Sequence, residues 1–158
     1  MKFGLTKDLC YFAGLCARYR HEENSQLGIR TTNHAVIERF VKLALSMGVG
    51  PSKILVEENE KLSHVYFFNS KLARQVKQLR EKENYYFRPN SKFAQDYVAG
   101  MFDASGHKSS AHITMGNLDN ADCFMLENLG IHTKGGVVQN PGALLKLIRG
   151  DSIVAKGF

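Results

Sequence analysis

The sequence predicts an α+β chain built from two related halves, 1–88 and 89–158, the second shorter than the first. Three observations predict this. YFAGLCARYRH (residues 11–21) returns as YVAGMFDASGH (residues 97–107), matching at the tyrosine, the alanine–glycine pair and the closing histidine. Each copy is followed by a polar segment and a β-like run, QLGIRTTN or HITMGN, and then by a helical pattern. Helical and strand periodicities also follow the same order in both halves: helix, strands, helix, strands, helix. The offset between copies falls from 86 at Tyr11 and Tyr97 to 84 where Asn33 is set against Asn117 and Phe40 against Phe124. It reaches 82 at Gly48 and Gly130, as two small deletions would produce.

The elements follow in chain order. Thr6 or Asp8 can cap a first helix running to about Tyr19. A hairpin is expected over 22–33, then a helix over 35–47 that GVGP stops. SKILVEE and SHVYFFN, rich in β-branched and aromatic residues, read as strands around a polar turn at 59–61. SKLARQVKQLREKE reads as a helix capped by Ser70. Its basic stripe of Lys71, Arg74, Lys77, Arg80 and Lys82 is expected on a solvated outer face. NYYFRPN is the expected linker, with Pro89 stopping continuous helix. The second half then gives helices over 91–104 and 119–129, a β-like HTKGGVVQN, and a short helix in PGALLKLIRG with Pro141 near its start. DSIVAKGF reads as a last strand or a loose tail.

At 158 residues, with 44% hydrophobic and 23% charged residues, the chain can bury a real core and does not have a disordered composition. A net charge of +6 and a pI near 9.3 point to an acidic partner, nucleic acid first. Residues 1–90 hold 15 Lys+Arg against 9 Asp+Glu, while residues 91–158 hold 6 of each, so a polyanion would lean on the first half. Cys10, Cys16 and Cys123 are odd in number and lack metal-ligand spacing, which fits buried free thiols in a reducing compartment. Lys7 and Asp8 interrupt the apolar N-terminus, and no run approaches the ~18 apolar residues of a membrane helix. A soluble, cytoplasmic protein is expected.

With FAGLCARYR (residues 12–20) and VAGMFDASG (residues 98–106) each heading such a unit, the chain resembles the LAGLIDADG homing-endonuclease family over nearly its whole length. The resemblance implies two pseudo-symmetric αββαββα halves whose antiparallel sheets form a saddle along the DNA major groove. It also implies that the two motif helices pack side by side, with Ala13, Gly14, Ala99 and Gly100 letting their backbones approach. Glycine inside a helix costs ~1 kcal/mol against alanine and so needs a packing reason. The family's chemistry requires a carboxylate at the C-terminal end of each motif helix, to hold divalent metal ions against the scissile phosphates. The matching positions here carry Tyr19 and Ser105, neither of them an anion near neutral pH. Arg18 replaces a small residue, and Arg20 stands at the closing glycine of the first copy. Asp103, two places before Ser105, reads as capping or structural. Glu22 and Glu23 are acids that could swing toward a metal. The second copy has Lys108 and two serines in that region, so no symmetric pair forms.

Strand alternation selects the exposed face. In QLGIRTT, Leu27, Ile29 and Thr31 are expected to face the core, leaving Gln26, Gly28, Arg30 and Thr32 outward. In AHITMGN, Ile113 and Met115 point in, with His112 and Thr114 outward. The candidate nucleic-acid contacts are Arg18, Arg20, His21, Gln26, Arg30, Thr32, Lys53, Lys61, His107, Lys108, His112 and Lys134. Glu57, Glu58 and Glu60 oppose DNA if they lie on the same face. The reading is a monomeric, catalytically inactive protein that binds duplex DNA, or RNA, without a cofactor. The alternatives are a metal-dependent endonuclease using Mg2+ through displaced ligands, and a protein-interaction scaffold.

Overall fold

The structure, a computed structural model, describes residues 4–19 and 25–157. Helix α1 (Lys7–Cys16) starts where the Thr6 hydroxyl accepts the Leu9 N–H at 3.1 Å, and its counterpart α5 spans Ala94–Ser105. Every residue of α1 from Leu9 to Cys16 is buried, as is every residue of α5 from Tyr97 to Asp103. Such helices cannot lie on a surface and must form the centre of the fold.

The two cross at Gly14 and Gly100. A Cβ added to Gly14 would lie 2.1 Å from the Tyr97 carbonyl oxygen, and one added to Gly100 would lie 2.1 Å from that of Tyr11. The same pair of contacts read in both directions is the signature of a pseudo-two-fold axis. Backbone meets backbone there, with Ala13 and Ala99 fully buried beside the seam.

Two antiparallel sheets flank this pair. The first comprises β1 (Gln26–Thr31), β2 (Leu55–Glu58) and β3 (Ser63–Phe68) in the order β1-β3-β2. The Asn59 side chain accepts the N–H groups of Lys61 and Leu62, both at 2.9 Å, and so closes the β2–β3 turn. The second comprises β4 (Gly106–Lys108), β5 (Ile113–Met115), β6 (Thr133–Lys134) and β7 (Val137–Val138) in the order β4-β5-β7-β6. Gly135 and Gly136, both at positive φ, form the two-residue turn of its last hairpin.

Behind the first sheet lie α2 (His34–Ser46) and α3 (Ser70–Glu81), followed by the short α4 (Glu83–Tyr86). Behind the second lie α6 (Asn120–Asn128) and α7 (Pro141–Ile148). One continuous apolar core joins both halves, and stacked Phe12 and Phe40 rings, 5.3 Å apart, anchor it on the first side. Burying each such side chain stabilises the fold by ~1.5–3 kcal/mol. No helix among the described residues is long and apolar enough to cross a membrane.

The structure corrects several sequence expectations. β1 pairs with β3, while residues 22–24 of the expected local hairpin lie outside the described residues. The cap of α3 is Asn69, whose side chain accepts the Leu72 N–H at 3.0 Å, so Ser70 is already the first helical residue. The expected linker contains α4. The two-step deletion is a single one. Strand β1 and strand β5 bury matching residues at offset 86, Leu27 with Ile113 and Ile29 with Met115, and the helix caps Asn33 and Asp119 keep that offset. Phe40 therefore matches fully buried Leu126, and Phe124 is 58% exposed. The loss of four residues falls within α6, which has 9 residues against 13 in α2. Four residues make about one helical turn, so the buried face is retained.

The tail is neither strand nor loose. Asp103 is 4% exposed and accepts from the Tyr11 and Ser152 hydroxyls, both at 2.5 Å, and from the backbone N–H groups of Ile153 and Val154 at 2.9 and 3.0 Å. These bonds position a 3-10 turn at Ala155–Gly157.

Candidate nucleic-acid interface

Past the last turn of α1 and at the end of α5, the two motif helices open onto a cavity of about 270 Å³. Its polar walls are Arg18, Tyr19, Arg30, Ser105 and Asn117, over a floor that includes Leu15 and Ile29. Asn117 is the one non-glycine residue at positive φ among the described residues, a conformation asparagine tolerates better than most. The Ser105 hydroxyl donates back to the Met101 carbonyl at 2.8 Å within its own helix.

Tyr19 is wired into the first sheet. Gln26 Nε2 donates to its hydroxyl at 2.7 Å, and that hydroxyl lies 2.6 Å from His64 Nε2. His64 Nδ1 is 3.5 Å from Glu57 Oε2, and the Tyr66 hydroxyl donates to Glu57 Oε1 at 2.8 Å. Burial, and then the Arg30 guanidinium, lower the His64 pKa, so the imidazole is neutral at neutral pH. With the Gln26 donor on the phenol oxygen, the consistent tautomer has Tyr19 donating to Nε2 and Nδ1–H pointing to Glu57. Burial also raises the Tyr19 pKa and keeps the phenol protonated. Arg30 stacks on the Tyr19 ring at 4.7 Å, and His64 stacks on Tyr66 at 4.3 Å.

Strand register aligns the exposed face of the first sheet. Gln26 opposes Phe68, Gly28 opposes Tyr66, and Arg30 opposes His64, with Leu55 and Glu57 on the far strand. Gly28 is buried because Tyr19 and Tyr66 cover it, a correction to its expected outward exposure. On the second sheet His107 opposes Thr114, which opposes Val137, which in turn opposes Lys134. Thr32, Lys53, Lys61, Lys108 and His112 are exposed at strand ends or turns. Arg20, His21, Glu22 and Glu23 lie outside the described residues.

Arg18 and Arg80 meet a different fate from the one their positions in the sequence suggest. Arg18 is only 13% exposed, pairs with Asp122 and lies 3.9 Å from Asp119. Arg80 pairs with Asp119, reaches Glu83 at 3.2 Å and Asp122 at 3.5 Å, and so leaves the solvated basic face expected of its helix. Asp119 and Asp122 form the capping box of α6, so these two arginines tie the first half to the second. Burial works against ionised Asp119, yet the Asp122 backbone N–H and Arg80 hold its pKa at about 2. Burial, and then Asp122, push Glu83 up to about 8, and the Tyr97 hydroxyl donates to it at 2.9 Å.

These side chains do not fit a divalent cation at the cavity. Magnesium and its relatives require hard anionic oxygens, and no described residue lining the cavity carries a carboxylate. Glu83, Asp119 and Asp122 do bring carboxylate oxygens within 4.8 Å of one another elsewhere, but Arg18 and Arg80 already neutralise that cluster. Asp103 is committed to four donors.

The chain, with its central helix pair and flanking antiparallel sheets, superposes on solved structures. A variant of the homing endonuclease I-DmoI, in complex with its target DNA in the presence of manganese, superposes with a TM-score of 0.66 at 16% identity, covering 94% of this chain and 96% of that one. This is the homing-endonuclease fold. Mesophilic variants of I-DmoI share it at a TM-score of 0.64 and 16% identity, over 90% of this chain and 88% of theirs. Full-length WhiA from Thermatoga maritima matches at a TM-score of 0.64 and 11% identity, over 99% of this chain and 60% of that chain. The sequence matches no family profile and no curated protein. At these identities the homing-endonuclease fold is what is shared. The sequence signals that lead to it are the paired Ala-Gly motifs. The long-range partners have no such signal: His64 of Tyr19, and Asp119 and Asp122 of Arg18 and Arg80, lie 39 to 104 positions away along the chain.

Proposed function

We propose that this chain binds duplex DNA along the exposed faces of its two sheets and does not cut it by a metal-dependent route. The single observation that carries the reading is the cavity at the ends of α1 and α5, walled by two guanidinium groups, two hydroxyls and an amide where cleavage would need carboxylates. Retention of the fold around it supports binding, since I-DmoI holds its target DNA on the same architecture. Arg30, His107 and Lys134 occupy the strand faces suited to phosphates, and Gln26 and Thr114 offer side chains for base edges.

The test titrates labelled duplex with the protein at several salt concentrations, alongside incubation of supercoiled plasmid with magnesium or manganese. The expected result is a steep fall of log K with log salt, worth several released counterions, and no nicked product. Nicking that chelation abolishes would refute the inactive site. Absence of binding at the lowest salt would refute the DNA reading and favour a protein partner, for which the exposed Leu55, Val56 and Phe68 provide apolar surface.

A further inference from the structure

We infer that the open face of the first sheet is a stacking platform for unpaired nucleobases, so that this half holds a single-stranded stretch of nucleic acid. This rests on the nucleic-acid reading above and adds a second form of ligand at one of its two sheets. Strand β3 carries rings on both faces. Val65 and Phe67 point into the core and are fully buried, while His64, Tyr66 and Phe68 alternate with them on the open face. A solvated sheet face ordinarily carries polar side chains, and a row of rings left on one marks a binding surface. On the second sheet the open face carries His107, Thr114, Val137 and Lys134, with no phenyl or phenol ring. The platform is therefore a property of one half and not of the shared fold.

The rings form one connected row. His64 and Tyr66 stack with centroids 4.3 Å apart, closer than the ~6.7 Å between same-face positions of a strand, so both stand up from the sheet. Tyr19 lies 5.5 Å from His64 at one end, with the Arg30 guanidinium over its own ring. Phe68, nearly perpendicular to Tyr66 at 6.0 Å and 43% exposed, is the open end. Hydrogen bonds from Tyr66 to Glu57 and between Tyr19 and His64 hold the row in place, which lowers the entropy lost when a base joins it. Every base has a π-face, so such a row accepts single strands with little sequence preference, at on the order of tenfold in affinity per stacked base. Bases inside a duplex have those faces covered by their neighbours. Charge selects a polyanion over an apolar partner. Arg30, Lys53 and Lys61 are exposed around this sheet, and residues 1–90 carry the whole net charge of +6. Glu57 shares the open face, but one carboxylate oxygen accepts the Tyr66 hydroxyl and the other lies 3.5 Å from His64 Nδ1. Glu58 alternates to the opposite face.

The deciding experiment titrates labelled homopyrimidine single strands, DNA and RNA, and a blunt duplex of equal length with the wild type, Phe68→Leu and Tyr66→Leu. Tyrosine emission is followed, and thermal midpoints are recorded to confirm folding. Leucine keeps apolar surface while removing the ring, and Phe68 is exposed, so at least that variant is expected to fold. The wild type should bind single strands with quenching of its tyrosine emission. Each variant should lose roughly tenfold in single-strand affinity, with a far smaller change for the duplex. Tighter binding of the DNA or of the RNA strand supports the platform and identifies its source. Wild-type binding of duplex but of neither single strand would overturn the platform and leave the duplex reading intact. So would single-strand binding that both variants keep in full. Single-strand binding without duplex binding would support the platform and refute the duplex reading. A wild type that dimerises, beside a monomeric Phe68→Leu of unchanged single-strand affinity, would overturn the platform in favour of a contact between copies of this chain.

Discussion

Where α1 and α5 touch, the two halves contribute the same groups. Tyr11 faces the backbone of Gly100 as Tyr97 faces that of Gly14, each glycine sits against the other's Cα, and each tyrosine hydroxyl donates to a buried acid, Asp103 or Glu83. One turn beyond, the correspondence ends. The first helix is followed by Arg18 and Tyr19, bound into an ion cluster and an aromatic network, and the second finishes in Ala104 and Ser105, whose hydroxyl donates to Met101 within its own helix. The seam is constrained by backbone contact, which tolerates no side chain. The ends face a cavity, where many side chains fit and the chemistry is free to diverge.

The largest expected effect is at the seam. Gly14→Val and Gly100→Val each drive carbon into a carbonyl that no rotamer change can move, so each should destabilise by ~3 kcal/mol or more, or prevent folding. Urea midpoints of the two variants should fall together, and a large difference between them would break the symmetry of the seam. Next is Asp103→Ala, which strands four donors and frees the tail. It should cost ~3 kcal/mol, read as a drop in thermal midpoint of roughly 6–12 °C, with faster proteolysis near the C-terminus.

Two buried acids of the second half's packing, Glu83 and Asp96, make stability depend on pH. Glu83 is raised to about 8, so between its ordinary value near 4.5 and about 8 the folded chain holds a proton that the unfolded chain has lost. Stability contributed by this group is therefore present below pH 4.5 and lost as pH rises to 8. Asp96, pushed to about 6 by burial and then by Asp151, adds the same sign over a narrower window. Glu83→Gln should flatten the fall in urea midpoint between pH 5 and 8, and an unchanged slope would show that Glu83 is ionised in the fold. The smallest effects belong to the helix ends. Tyr19→Phe removes one hydroxyl shared by Gln26 and His64 and should cost ~1 kcal/mol, whereas Ser105→Ala should stay within ~0.5 kcal/mol. Equal losses would deny that the two ends differ in their wiring.

The fold was legible because its signals are local. Thr6, Asn33 and Asp119 cap helices within three residues of themselves, and Val65 and Phe67 alternate with Tyr66 and Phe68 along one strand. Phe124 misled because residue type carries no direction. It resembles Phe40, but removing one helical turn within α6 brings Leu126 to the buried position. Arg80 misled for the same reason, as the basic stripe on α3 says nothing of the capping box 39 residues later. Tyr19 and Ser105 were identified as non-carboxylate positions from the motifs alone, but their surroundings were not.

The sequence by itself determined the duplication, the glycine seam and the absence of acids at the two motif ends, because each is a matter of residue identity at a fixed spacing. Only the tertiary structure decided that Arg18, on the cavity wall, is joined by Arg80 in tying the halves together through Asp119 and Asp122. It likewise decided that Tyr19 is held by His64 and Gln26 and that Asp103 secures the tail. Those outcomes depend on charges and donors brought together from distant parts of the chain, and such interactions act through space at distances of 3–4 Å that sequence separation does not encode.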